Sequence, residues 1–172
     1  MKAWGALVLA LSLVASPASA AFWSFAGGYG RMVRLGPANS GVGYAAFLPQ
    51  AAWRLGAGRF EYVVEGHVSR WFGEHAWVAG AVPVGVRFDL GRAKNAPFLS
   101  AGLGFAWTDL EPLIEIDRRF NFIVQAGAGI RLPVGGRSAW TAEARFFHLS
   151  NANTAGRNLG VNSVAILAGY RP

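Results

Sequence analysis

The chain has 172 residues, and setting aside a 20-residue leader leaves 152, room for one domain and too few for two. With 53% hydrophobic and only 15% charged residues, and a mean hydropathy of +0.29, an intrinsically disordered chain is excluded. The absence of Cys removes disulfide scaffolds, thiolate metal sites and cysteine nucleophiles. The formal charge of +7 is carried almost wholly by Arg, with Lys only at Lys2 and Lys94, which suits acidic partners bound bidentately, either nucleic acid or an anionic lipid surface.

Met1-Lys2 forms a short positive start, Ala3 to Val14 an apolar core, and Ala18-Ser19-Ala20 a small-residue cleavage site before Ala21. Residues 1–20 therefore read as a secretory signal cleaved after Ala20, and residues 21–172 as a single exported domain. An exported chain does not meet genomic DNA, so no nucleic acid is expected as partner. Downstream, Gly, Pro or a charge interrupts every apolar run before it is long enough for a spanning helix.

The apolar surplus is instead distributed with a period of two. Phe22 to Val33 and Gly41 to Trp53 are the least regular segments. Arg59 to Phe72 sets Phe60, Tyr62, Val64, Gly66 and Val68 against Arg59, Glu61, Glu65, His67 and Ser69. Trp77 to Leu90 sets Val78, Val82, Val84, Val86 and Phe88 against Arg87 and Asp89. Pro97 to Trp107 alternates likewise. Phe120 to Leu132 sets Phe120, Phe122, Val124, Ala126, Ala128 and Ile130 against Asn121, Gln125 and Arg131. Ser138 to Ser150 and Val161 to Arg171 complete the series. Turn chemistry separates the segments, including Leu55-Gly56-Ala57-Gly58, Gly91 to Ala96 and Pro133-Val134-Gly135-Gly136.

Eight strands of about ten residues or more, one face apolar and the other mixed polar, predict an all-β, eight-stranded antiparallel transmembrane β-barrel with a polar, side-chain-filled interior. Glu61, Glu65, Arg87, Asp89, Gln125, Arg131, Glu143 and Arg145 are expected to pair inside it and to leave no channel. Aromatic residues near the segment ends should form interfacial girdles. If the N-terminus starts in the periplasm, residues 34–40, 73–76, 109–118 and 151–158 are the outer loops.

The chemistry-bearing segment is Phe147-His148-Leu149-Ser150-Asn151-Ala152, followed by Asn158-Leu159-Gly160. His148 and Ser150, two apart on a strand, point to the same side as Ala142, Ala144 and Phe146, while Glu143 and Arg145 point inward. A His and a Ser facing lipid are costly unless they pair or act, and a Ser beside an imidazole is a common nucleophile of acyl transfer. The bland alternative is an interfacial polar belt. His67-Val68-Ser69 has the same spacing in the opposite phase and reads as a satisfied interior pair; His75 reads as a solvated loop residue.

His-Leu-Ser-Asn-Ala at 148–152, then Asn158-x-Gly160 and a closing strand, resembles the signature of the lipid A 3-O-deacylase (PagL) family, also labelled acyloxyacyl hydrolase-like. The resemblance covers the mature chain in length, strand count and signal, and is specific over the last 25 residues or so. It implies an outer-membrane esterase acting on lipid A, with His148 as base, Ser150 as nucleophile and Asn158 at the oxyanion position. The family's acidic third residue falls at Asn162, an amide in this chain. Arg157, Arg118 and Arg119, with Asn151, are the expected substrate-binding residues, the arginines holding glucosamine phosphates. No cofactor or metal is expected. The expected partners are lipid A or lipopolysaccharide and the outer membrane, with a homodimer left open. The competing reading is a non-catalytic structural or adhesive barrel of the OmpA or OmpX type.

Overall fold

The computed structural model describes residues 21–33, 42–56, 58–72, 75–91, 93, 95–109, 119–154, 156 and 158–172. The expected leader, Arg118, Arg157 and most of the loop at 109–118 lie outside them. Every regular element described is a strand: β1 Phe22–Met32, β2 Gly43–Arg54, β3 Phe60–Trp71, β4 Trp77–Asp89, β5 Pro97–Thr108, β6 Phe120–Gly135, β7 Ser138–Ser150 and β8 Val161–Arg171. Each pairs antiparallel with its sequence neighbour, and β1 pairs with β8, closing the barrel. Closure leaves no strand edge to expose its backbone to lipid.

The register fixes the tilt. Stepping across strands from Ala45 through Tyr29, Ile166, Ala144, Ala128, Leu99, Phe88 and Phe60 returns to β2 at Leu55, ten residues from the start. Strands so staggered lean at roughly 40° to the barrel axis. One end carries the β1–β2, β3–β4, β5–β6 and β7–β8 connections and is called here the loop end; the other is the turn end.

Two sequence expectations are corrected. The run Pro133-Val134-Gly135 is not a turn; β6 continues through it and the reversal falls at Gly136-Arg137. In β4 the apolar residues do not share one face. A bulge shifts the register between Ala81 and Val84, so Val78 and Val82 are buried inside while Val84 and Val86 are exposed outside. Pro83, which has no N–H to donate to a ladder, sits in that bulge, and the Tyr62 hydroxyl bonds its carbonyl oxygen. Arg59, in phase with Glu61, precedes β3 and lies over the outward Phe88 ring.

The interior is zoned. Toward the turn end Glu61 meets Arg171, Arg87, Arg131 and Arg54 at 3.1 to 3.5 Å, and Asp89 meets Arg131 at 3.1 Å. At mid-barrel Arg145 bonds Glu65 and Glu143 at 2.8 and 2.9 Å, while Gln50 and Gln125 add bonds to Glu65. Toward the loop end the filling turns apolar: Met32, Tyr44, Trp71, Ile123, Phe147, Leu149 and Val161 pack together. This cluster backs the loop ends of β7 and β8 with close-packed, low-compliance material.

Outside, large apolar side chains stay exposed over most of the wall, among them Leu103, Ile166, Leu99 and Leu132. Aromatic pairs sit at both ends, Tyr29 with Phe72 and Trp107 with Phe120 at the loop end, Phe60 with Phe88 and Trp140 with Tyr170 at the turn end. An apolar wall between two aromatic bands is the surface of a barrel solvated by lipid.

Candidate active site

His148 and Ser150 occupy the last rungs of β7 at the loop end. Alternation from Ala142 onward points both outward, with Ala142, Ala144 and Phe146 in line beneath them, whereas Arg145, Phe147 and Leu149 are buried inside. Each is half-buried. Directly across on β8, Asn162 is the register partner of His148, and its Oδ1 lies 2.8 Å from His148 Nδ1. The amide oxygen can only accept, so Nδ1 carries the hydrogen and Nε2 keeps its lone pair free. An imidazole in that tautomer is set to take a proton.

Gly160 determines where the ring lies. One step beyond the Leu149–Val161 pair, it stands opposite Ser150. Its φ of +71° is a conformation that L side chains rarely adopt, and a Cβ there would come within 2.7 Å of His148 Cε1. The imidazole therefore leans over the bare Gly160 backbone toward the rung of the hydroxyl. Side chains two residues apart on a strand emerge about 7 Å apart, and the lean is directed along that gap. Gly160→Ala is expected to displace the ring from Asn162 with the barrel still folded. NMR shifts of the His148 imidazole alongside heat-modifiable gel migration check it; an unchanged ring environment would show that the ring does not depend on Gly160.

The loop after Ser150 is tied to itself. Asn151 is wholly buried; its N–H donates to Asn158 Oδ1 at 3.0 Å, its Oδ1 accepts from the Asn153 N–H, and its carbonyl accepts from Thr154. Asn158 Nδ2 donates to Asn153 Oδ1 at 3.1 Å, leaving one of its two hydrogens for another acceptor. Ala152 and Asn153 have φ of +52° and +60°, so the chain reverses sharply at a non-Gly pair, a strained geometry of the kind that clusters at functional sites. Asn151 thus acts inside the loop framework. Arg119 ends the β5–β6 connection, its carbonyl accepting from Thr108 and Asn121.

The second His-x-Ser has different surroundings. His67 Nε2 lies 3.1 Å from Ser69 Oγ, which also accepts from Trp71 Nε1, and the ring stacks on Phe147. Both residues are buried, at 3% and 1% exposure, which leaves no approach for a substrate. Among the described residues no three His, Asp or Glu side chains converge as metal ligands would.

A family model described as lipid A 3-O-deacylase (PagL) matches residues 38–171. No curated protein sequence matches the chain. Among solved structures, the crystal structure of the outer membrane enzyme PagL is similar at a TM-score of 0.65 and 18% identity, covering 87% of this chain and 98% of that one. The crystal structure of Neisserial surface protein A is similar at 0.62 and 15% identity, covering 88% and 94%. At these identities the two structures speak for the barrel alone, and their near-equal similarity means the barrel does not choose between an enzyme and a surface protein.

Proposed function

We propose the following reaction for the chain, which belongs to the lipid A 3-O-deacylase (PagL) family: hydrolysis of the ester that links an acyl chain to position 3 of lipid A. Ser150 Oγ adds to the ester carbonyl as His148 Nε2 takes the hydroxyl proton. The tetrahedral intermediate collapses, the sugar oxygen leaves with the proton from Nε2, and an acyl-Ser150 remains. Water then adds with His148 again as base, releasing the 3-hydroxy fatty acid and restoring Ser150. Asn162 holds the imidazole tautomer throughout. The spare Nδ2 hydrogen of Asn158 serves the oxyanion, a contribution worth about 10²- to 10³-fold in other hydrolases.

The observation that carries this reading is the 2.8 Å bond from His148 Nδ1 to Asn162 Oδ1 on the lipid-facing side, in phase with Ser150. A polar belt has no need of an imidazole with one nitrogen anchored and the other free, in phase with a hydroxyl. The leader Met1 to Ala20 exports the chain, the loop end faces outward, and the site meets the outer leaflet where lipid A carries its esters. Arg118, Arg119 and Arg157 lie on the loops flanking that site in sequence and hold glucosamine phosphates, with Asn151 keeping the loop in shape. A lipid-carrying interior finds no support, since Glu61, Glu65 and Arg145 occupy it.

The test is the mass of purified lipid A incubated in detergent with the purified mature protein. Loss of one 3-hydroxyacyl unit is expected; an unchanged mass spectrum sinks the proposal.

A further inference from the structure

Of the arginines on described strands, Arg54, Arg87, Arg131, Arg145 and Arg171 face inward onto carboxylates, and Arg70 lies over Trp77 while donating to the His75 carbonyl. Arg31 differs. It is exposed on the outward face of β1, in line with Tyr29 and Phe25, and has no hydrogen bond or ion pair with any described residue. A cation on a lipid-facing wall is tolerated near the interface but gains nothing there unless an anion meets it.

Its height on the barrel matches that of His148. The step across strands from His148 reaches Asn162 and then Val33, whose N–H bonds the Asn162 carbonyl at 2.9 Å. That step climbs toward the loop end, because the strands tilt: ten residues of stagger over eight strands amount to about 2.5 residues over two. Level with His148, β1 therefore presents Arg31 and not Val33. Two tilted strands separate the Cα positions by roughly 12 Å along the wall. Val164 lies between, paired with Arg31 on one side and Phe146 on the other. The Tyr29 hydroxyl adds a second donor nearby: it rests against Gly43, the residue opposite Arg31, where any Cβ would clash with it.

We infer that Arg31 binds a phosphate of the glycolipid molecule being deacylated and so positions its ester at Ser150; this rests on the deacylase reading above. The phosphate is that of the glucosamine bearing the 3-O-acyl chain, which leaves the phosphate of the other glucosamine to the loop arginines. A sugar ring and a long Arg side chain together bridge the gap along the wall, and the planar guanidinium matches phosphate bidentately. The apolar Val164 and Phe146 lie under the intervening glycolipid.

The experiment compares two lipid A substrates differing only in that phosphate, in a neutral detergent free of other anionic lipid. For the parent protein, removing the phosphate raises KM about tenfold. Arg31→Gln raises KM for the phosphorylated substrate by a similar factor, and the two changes combined cost no more than either alone. Arg31→Lys recovers part of the loss. Equal, independent losses, or no loss for Arg31→Gln, overturn the assignment. So does an effect of Arg31→Gln that appears only after adding anionic phospholipid, which would mean that the cation reads the surrounding leaflet. If the parent cleaves neither substrate, the deacylase reading fails by itself; equilibrium binding of the two lipids to parent and Arg31→Gln, read by Trp fluorescence, then decides Arg31 alone by the same criterion.

Discussion

Ser150→Ala and His148→Ala are each expected to lower the deacylation rate by about 10⁴-fold or more, and the double variant to be hardly worse than either, because nucleophile and base act as one unit. Initial rates of fatty-acid release, measured beside gel migration that reports the folded barrel, check both. A Ser150→Ala protein as fast as its parent would remove the acyl-enzyme from the scheme. The same assay grades the third position. Asn162 already reaches His148 at 2.8 Å, so the isosteric Asn162→Asp puts a carboxylate where the amide oxygen sits without moving the ring. The amide orients the imidazole but cannot neutralise the imidazolium that forms when Ser150 gives up its proton. The acid-to-amide change costs a serine protease about 10⁴-fold, partly through a wrong tautomer. Here the tautomer is already right, so Asn162→Asp is expected to raise kcat by roughly 10- to 10²-fold. An unchanged or lower kcat would mean that charge at this position is not limiting.

The parts of this molecule legible in the sequence are those where one residue type can satisfy only one environment. Charges at Glu61, Glu65, Arg87 and Arg145 have no place on a lipid-facing wall, so they set the phase of β3, of β4 after its bulge and of β7, and with it the outward direction of His148 and Ser150. Valine carries no such information, since it suits lipid and core equally. That is why the bulge at Pro83 stayed hidden: Val78, Val82, Val84 and Val86 look continuous although the first two are inside and the last two outside. Arg54 and Arg171 sit at strand ends, where alternation is weakest, and joined the Glu61 cluster unannounced. Gly160 was visible as a letter in a motif, yet its task depends on the imidazole of another strand. Arg31 is not legible in the sequence because β1 is rich in Gly and its pattern is poor, and because height on a tilted barrel depends on the stagger.

Glu61→Gln is expected to destabilise the barrel by about 3–5 kcal/mol while leaving turnover by the folded protein intact. Glu61 is 1% exposed and lies within 3.5 Å of four guanidinium groups, of which those of Arg87, Arg131 and Arg171 are buried. The described interior holds four buried carboxylates, Glu61, Glu65, Asp89 and Glu143, against four buried arginines, Arg87, Arg131, Arg145 and Arg171. Removing the Glu61 charge leaves Asp89 as the carboxylate bonded to Arg131, and Arg87 and Arg171 with none at salt-bridge distance among the described residues. Glutamine keeps the shape and one acceptor, so the loss reports uncompensated charge and not a cavity. Adding Arg171→Gln removes one of the stranded cations and is expected to recover part of the stability, a gain that no loss of packing could produce. Urea unfolding in lipid vesicles, followed by Trp fluorescence, measures both changes, and a midpoint unmoved by Glu61→Gln would contradict the role given to this cluster. The apolar packing around Trp71, Phe147 and Leu149 separates the cluster from the loop end, so a slower rate per folded molecule would instead reveal coupling through the barrel to His148.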